Sequence, residues 1–141
     1  MALTVEIVTP AGIAWKSDNV DALTLPAASG EIQILPGHVP ILTILNAGSL
    51  VAQIGESANS LAIDEGYARC MGDVVSVLTE AAINVEEIDE EQAEKTRIEA
   101  LKELDKIRRQ PHADDAEIER LESIARFSIA QKLTKAKKRQ H

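Results

Sequence analysis

Four side chains in this 141-residue sequence are of types that could ligate a metal or act as a nucleophile: His38, His112, His141 and Cys70. The histidines lie far apart, and none has a second ligand at the spacing of a metal site. Cys70 is the only cysteine, which excludes an internal disulfide, and a lone cysteine in a strand is most often a small core residue. The sequence therefore predicts no catalytic residue and no metal site.

Composition excludes further classes of function. The net charge is −8, and residues 1–87 hold two basic residues against eleven acidic ones, which argues against nucleic acid as a partner. No glycine-rich loop leads from a predicted strand into a helix, so no phosphate cradle is expected. The first residues lack a signal-peptide pattern, and no run approaches the ~18 apolar residues that span a bilayer. We therefore expect no direct membrane insertion, only association through a partner protein.

The first 87 residues alternate short apolar runs with glycine, proline and asparagine. Leu3, Val5 and Ile7 recur with the period of two that is typical of a half-buried strand. Pro26 is expected to stop the third strand, because proline cannot donate to a ladder. Strands are predicted at residues 3–8, 13–15, 20–25, 30–35, 39–45, 49–54, 61–63, 67–70, 74–78 and 83–85. About ten short strands at this spacing predict an antiparallel β-sandwich or flattened barrel.

The hydrophobic period changes after residue 87, where helices are predicted. Asp89 is expected to cap a first helix by accepting from the Gln92 amide, with the Gln92 side chain reaching back. Pro111 ends that helix, and Asp114 begins a second with Glu117 in another capping box. The short linker predicts an antiparallel pair. The fold class is therefore α+β, a sandwich domain at residues 1–87 followed by a helical hairpin at 88–141.

Each predicted helix carries an apolar stripe, but the pair cannot bury enough surface to stand alone. Ile124 and Phe127 lie beside the second stripe and can occupy a second surface. The hairpin must therefore pack on the sandwich or on another protein, and we hypothesise two placements separated by a few kcal/mol. The predicted face of the first helix holds Ala93, Arg97, Leu101, Leu104 and Arg108, flanked by Ile98, Ala100 and Ile107. The predicted stripe of the second helix holds Ile118, Leu121, Ala125, Ile129 and Ala136.

A motif between the third and fifth predicted strands is the most specific feature of the sequence. It reads Gly-Glu-Ile-Gln-Ile-Leu-Pro-Gly-His-Val-Pro-Ile-Leu-Thr, from Gly30 to Thr43. Its spacing of Gly30, Leu35-Pro36, His38, Pro40 and Thr43 resembles the signature of the epsilon subunits of F-type ATP synthases, called delta in mitochondria. The resemblance covers nearly the whole chain, sandwich and hairpin alike.

The resemblance implies a non-catalytic rotor subunit of the central stalk, peripheral at the cytoplasmic face of the inner or plasma membrane. The sandwich would pack on the gamma subunit and touch the c-ring, coupling proton flow to rotation. The residues expected to face the c-ring are Glu31, Pro36, Gly37 and His38. The hairpin would extend along gamma and inhibit ATP hydrolysis, with basic residues meeting acidic loops of the alpha/beta catalytic head. The residues that match this role in type are Arg126, Lys132 and Lys135.

Alternatives remain open at this point. Acids at the start of the second helix and bases at its end also suit the helix dipole, so the basic residues can be explained by stability alone. Some relatives bind ATP through an Ile/Leu-Asp-x-x-Arg-Ala motif, which here reads Ile88-Asp89-Glu90-Glu91-Gln92-Ala93. Gln92 lacks the arginine's charge, so no tight ATP binding is expected. The alternative function is a free-standing sandwich module that binds protein and dimerises through its helices.

Overall fold

The computed structural model describes residues 2–37 and 40–139 as ten strands, one 3₁₀ turn and two helices. The predicted residues His38 and His141 lie outside the described residues. The strands are β1 (Leu3–Thr9), β2 (Gly12–Val20), β3 (Ala22–Ala27), β4 (Gly30–Ile34), β5 (Ile41–Leu45), β6 (Gly48–Ile54), β7 (Ser57–Ile63), β8 (Gly66–Met71), β9 (Val74–Thr79) and β10 (Ala82–Asn84). A 3₁₀ turn (Val85–Glu87), α1 (Glu90–Arg108) and α2 (Asp115–Arg139) follow.

The strands form one nearly closed sandwich in the order β10-β7-β6-β3-β5-β8-β9-β1-β2, with β4 paired to β3. The predicted sandwich is confirmed, with one exception to its antiparallel pairing: β1 runs parallel to β9, with Val5 opposite Val75. The interior is aliphatic, and none of its fully buried side chains among the described residues is aromatic. Its buried residues include Leu3, Ile7, Leu23, Leu25, Ile34, Leu45, Leu50, Leu61, Ile63 and Val77.

Several strand boundaries differ from the sequence predictions because pairing partners override local composition. Strand β7 begins at Ser57, four residues before its predicted start, because it pairs along β6. Pro26 does not stop β3; it lies opposite Glu31 of β4, and its carbonyl accepts from the Asn46 amide at 2.8 Å. Polar β2 runs to Val20 because it pairs along β1. Val85 begins the 3₁₀ turn instead of ending β10.

Gly66 is required where β8 meets β9, because a Cβ there would lie 1.9 Å from the Leu78 carbonyl oxygen.

The helix ends follow the predicted caps only in part. Asp89 Oδ1 accepts from the Gln92 amide at 3.1 Å, as predicted, but the Gln92 side chain reaches forward to Thr96 and not back. Helix α1 ends at Arg108, before Pro111. Asp114 Oδ1 accepts from the Ala116 amide at 3.0 Å. Glu117, the predicted partner in that box, pairs with Arg120 instead.

The two helices stack as successive layers, with α2 lying between the sandwich and α1. Helix α2 packs on β6 and β7 as well as on α1. Both predicted stripes are wrong in part, because Leu101, Ile129 and Ala136 are exposed. The prediction for α2 was incomplete because this helix packs on two surfaces, the sandwich and α1. Its buried residues therefore do not follow a single stripe of i, i+4 positions. The buried residues between the helices are Ala100, Leu104, Leu121 and Ala125.

Candidate functional site

The contact between α2 and the sandwich includes two side-chain hydrogen bonds. Ser49 of β6 and Thr134 of α2 share a buried hydrogen bond of 2.6 Å. Ser123 donates to Asp64 Oδ2 at 3.0 Å, in the turn after β7. Interfaces between domains that move relative to one another are more polar than permanent ones. The polar groups in this contact are ones that water can also satisfy.

The contact also has an apolar part, which centres on Phe127. Its ring packs against a cluster formed by Ala62, Val85 and Ile88. The prediction that Phe127 occupies a second surface is therefore confirmed. Ile124 does not share that surface, because it packs between the two helices.

All three predicted inhibitory bases contact groups outside α2. Arg126 Nε lies 3.0 Å from Glu65 Oε1, and Lys132 Nζ pairs with Glu94 of α1. Lys135 Nζ donates to the Val85 carbonyl oxygen at 3.2 Å. The bases therefore stand between the helix and its neighbours and do not form a free patch on the outer surface.

The Arg126 contact is an ion pair without a hydrogen bond. Its Nε atom is buried and has no acceptor in a direction that suits its N–H, although Glu65 Oε1 lies 3.0 Å away. An N–H that is out of line with its acceptor gains charge attraction but loses most of the hydrogen-bond energy. Arg126 therefore has unused donor capacity in the folded chain.

Glu94 is the acid most strongly perturbed by its neighbours. Hydrogen bonds from Arg97 and then from Lys132 lower the pKa of its carboxyl group to about 2. Both bonds are charge-assisted, and both favour the ionised carboxylate. Glu94 thus links the start of α1 to the last turns of α2.

The predicted c-ring corner is divided between the two ends of β4. Glu31 is exposed near the start of β4, whereas Pro36 and Gly37 follow the far end of the strand. The Gly37 amide donates to Asp73 Oδ1 at 2.7 Å, which ties the corner to the turn between β8 and β9. Its φ of 83° suits glycine. His38 lies outside the described residues.

An exposed apolar face on the sandwich was not found from the sequence. Leu42 and Ile44 of β5 are 70% and 68% exposed, and Tyr67 of β8 lies directly opposite Ile44. The face continues along the paired strands to Leu78 of β9. The signal for it was present in β5, Ile-Leu-Thr-Ile-Leu, which is apolar on both alternating sides although only one side can face the core.

The residues first considered for chemistry are not assembled into a site. Burial, and then the charge of Asp73, raise the pKa of Cys70, which disfavours the thiolate. His112 is exposed in the turn between the helices. Among residues 2–37 and 40–139, no three His, Cys, Asp or Glu side chains are grouped to hold a metal ion. Neither helix, over its described length, is apolar enough to cross a membrane.

Comparisons with known proteins agree on one family. Residues 2–85 match the family model described as ATP synthase, Delta/Epsilon chain, beta-sandwich domain. The chain is 34% identical over 106 residues to the chloroplastic ATP synthase epsilon chain of Cyanidium caldarium, covering 75% of this chain and 79% of that one. It is 29% identical over 128 residues to the ATP synthase epsilon chain of Staphylococcus aureus (strain JH9), covering 89% and 96% respectively.

Solved structures show the same fold at lower identity. A chain in the cryo-EM structure of the Euglena gracilis mitochondrial ATP synthase, OSCP/F1/c-ring in rotational state 1, superposes with a TM-score of 0.73 at 23% identity, covering 99% of this chain and 82% of that one. A chain of the Tetrahymena thermophila mitochondrial ATP synthase central stalk/c-ring gives a TM-score of 0.62 at 13% identity, covering 96% and 97%. The chain therefore belongs to the ATP synthase delta/epsilon chain family and, like its relatives, is a non-catalytic subunit.

Proposed function

We propose that this chain joins the gamma subunit to the c-ring and that its hairpin inhibits ATP hydrolysis. The observation that carries the proposal is the exposed apolar face of β5, β8 and β9, together with the family assignment. The exposed residues of this face are not needed by the fold, since the interior of the sandwich is filled without them.

The apolar face is the proposed contact with gamma. Leu42, Ile44 and Tyr67 stand on adjacent paired strands and form one continuous patch. Contiguous apolar patches on soluble proteins mark interaction sites. Arg69, which lies between Leu42 and Ser76 in the ladder, adds one positive charge to this patch. A surface with an apolar centre and an Arg matches the composition of protein interfaces.

The c-ring contact is proposed at Glu31 and at the Pro36–Gly37–His38 corner. Of these, Glu31 and Gly37 are exposed. Because they lie at opposite ends of β4, the proposed contact runs along that strand and is not a single point. This contact would hold the subunit peripherally at the cytoplasmic face of the membrane.

The hairpin is proposed to leave the sandwich and to meet the alpha/beta head through Arg126, Lys132 and Lys135. Two hydrogen bonds of the α2–sandwich contact support this, since Ser49, Asp64 and Thr134 can bond water when α2 leaves. The boundary between the two parts is placed between residues 87 and 88, just before α1.

The gamma contact is tested by pull-down of the full chain on purified gamma. Leu42→Ser with Ile44→Ser is expected to weaken capture at least tenfold while leaving the fold intact, because both side chains are more than two-thirds exposed. The matched control is Leu35→Ser, an exposed leucine that follows β4 at the corner proposed for the c-ring and not for gamma. Equal capture of the double variant and the control would remove this assignment.

A further inference from the structure

The partners of Arg126, Lys132 and Lys135 differ in whether they move with the helix. Glu94 lies on α1, so its pair with Lys132 stays within the hairpin. Glu65 lies on the sandwich, in the turn after β7, so its pair with Arg126 breaks whenever α2 leaves. The Val85 carbonyl that accepts from Lys135 is neutral. Among these contacts, Glu65–Arg126 is therefore the one ion pair that depends on the hairpin being folded on the sandwich.

We propose that Glu65 is an internal competitor for Arg126, which keeps this arginine from an acidic partner surface while the hairpin is folded. The proposal rests on the proposed inhibitory function of the hairpin and adds the residue that opposes it. One guanidinium cannot pair with Glu65 and with a distant partner carboxylate at the same time. Folding of the hairpin and its inhibitory contact are then mutually exclusive at Arg126.

The geometry of the pair favours exchange. The buried Nε of Arg126 makes no hydrogen bond, although Glu65 Oε1 is 3.0 Å away. An arginine binds a carboxylate best when two N–H groups point at its two oxygens. A partner carboxylate that is aligned in this way would satisfy Arg126 better than Glu65 does.

Hydrogen bonds also hold Glu65 beside the turn of α2 that carries Arg126. Its amide donates to Asp64 Oδ1 at 2.8 Å, and Asp64 Oδ2 in turn accepts from Ser123. The adjacent acids Asp64 and Glu65 therefore contact residues one helical turn apart, Ser123 and Arg126. Thr79 Oγ1 further anchors this turn by donating to the Asp64 carbonyl at 2.7 Å.

The first test is amide hydrogen exchange on the isolated full chain. Glu65→Gln is expected to speed exchange of α2 amides near Arg126 by roughly 1.5- to 5-fold, the range of partly exposed ion pairs. The matched control is Glu80→Gln, which removes the same charge from an exposed acid lining the same cleft. In Glu65→Gln with Arg126→Gln the effect should not add to that of either single variant. Equal exchange in the Glu65 and Glu80 variants would overturn the proposal.

The second test uses the assembled synthase. Glu65→Gln should lower ATPase activity below that of the wild type and of Glu80→Gln, because Arg126 is released to the partner. If exchange is faster but ATPase is unchanged, Glu65 does not compete with the partner surface for Arg126. This conclusion holds even if deletion of residues 88–141 raises ATPase and so supports the inhibitory function. If that deletion leaves ATPase unchanged, the inhibitory function fails, and the exchange result alone still decides whether Glu65 holds Arg126.

Discussion

The Ser49 hydroxyl donates its proton to the Thr134 hydroxyl across the contact between β6 and α2. The two oxygens are 2.6 Å apart and buried, and the Thr134 Oγ1 proton is already donated to the Ala130 carbonyl at 2.7 Å. A hydroxyl has one proton, so only Ser49 can be the donor between them. The last turns of α2 are thus joined to the sandwich by a directed hydrogen bond.

Removing the acceptor of this bond should loosen the hairpin. Thr134→Val leaves the Ser49 hydroxyl buried without its partner, which costs about 1–3 kcal/mol in the free energy of hairpin docking. Ser49→Ala together with Thr134→Val should cost less than Thr134→Val alone, because no orphan donor remains. Chemical denaturation of Ser49→Ala, Thr134→Val and the double variant measures the differences in the free energy of unfolding. A double variant as unstable as the sum of the singles would contradict the direct bond.

Deleting residues 88–141 should leave a folded sandwich. The large buried cluster of the sandwich contains no residue from α1 or α2, so its packing does not need the hairpin. Circular dichroism and binding to gamma should both persist, and ATPase activity of the complex should rise. Exposure of Ala62 and Val85, which Phe127 covers, should lower the melting temperature by a few degrees only. Loss of the β-sheet signal would show that the two parts fold as one unit.

The Glu94 carboxyl should titrate near pH 2, against an ordinary value of 4.5. Because its pKa is lowered in the folded chain, its stabilising contribution is present above about pH 4.5 and is lost as pH falls towards 2. NMR titration of the carboxyl carbon measures the midpoint. Arg97→Gln should raise it more than Lys132→Gln, because Arg97 makes the larger contribution. A midpoint near 4.5 in the unmodified chain would exclude a stable Glu94 network.

Isolated chain should not bind ATP tightly. The Gln92 side chain is neutral and donates to Thr96 Oγ1 at 3.5 Å, so this position offers no fixed charge to a phosphate. Titration calorimetry is expected to give no heat of binding at micromolar ATP. Gln92→Arg is the informative comparison, since it restores the motif's charge and should strengthen any weak binding. Micromolar affinity in the unmodified chain would contradict the prediction.

Much of the architecture followed from local patterns in the sequence. Strands with a strict period of two, such as β1, were predicted to within a residue, because alternating burial leaves a direct trace in composition. The cap at Asp89 was predicted for the same reason, since it needs only residues that are neighbours in sequence. The prediction at Pro26 was wrong because its pairing with Glu31 and the hydrogen bond from the Asn46 amide to its carbonyl use no N–H of the proline.

By itself the sequence determined the fold class, the division of charge between its two halves and, through the motif from Gly30 to Thr43, the family. Only the tertiary structure decided that Leu42 and Ile44 face outwards, and that Arg126 meets Glu65 while Lys132 meets Glu94. Periodicity reports which side of an element is apolar, but not which neighbour covers it. Pairing between residues about 40 to 60 positions apart depends on how helices and sheets pack, and no local pattern records that choice.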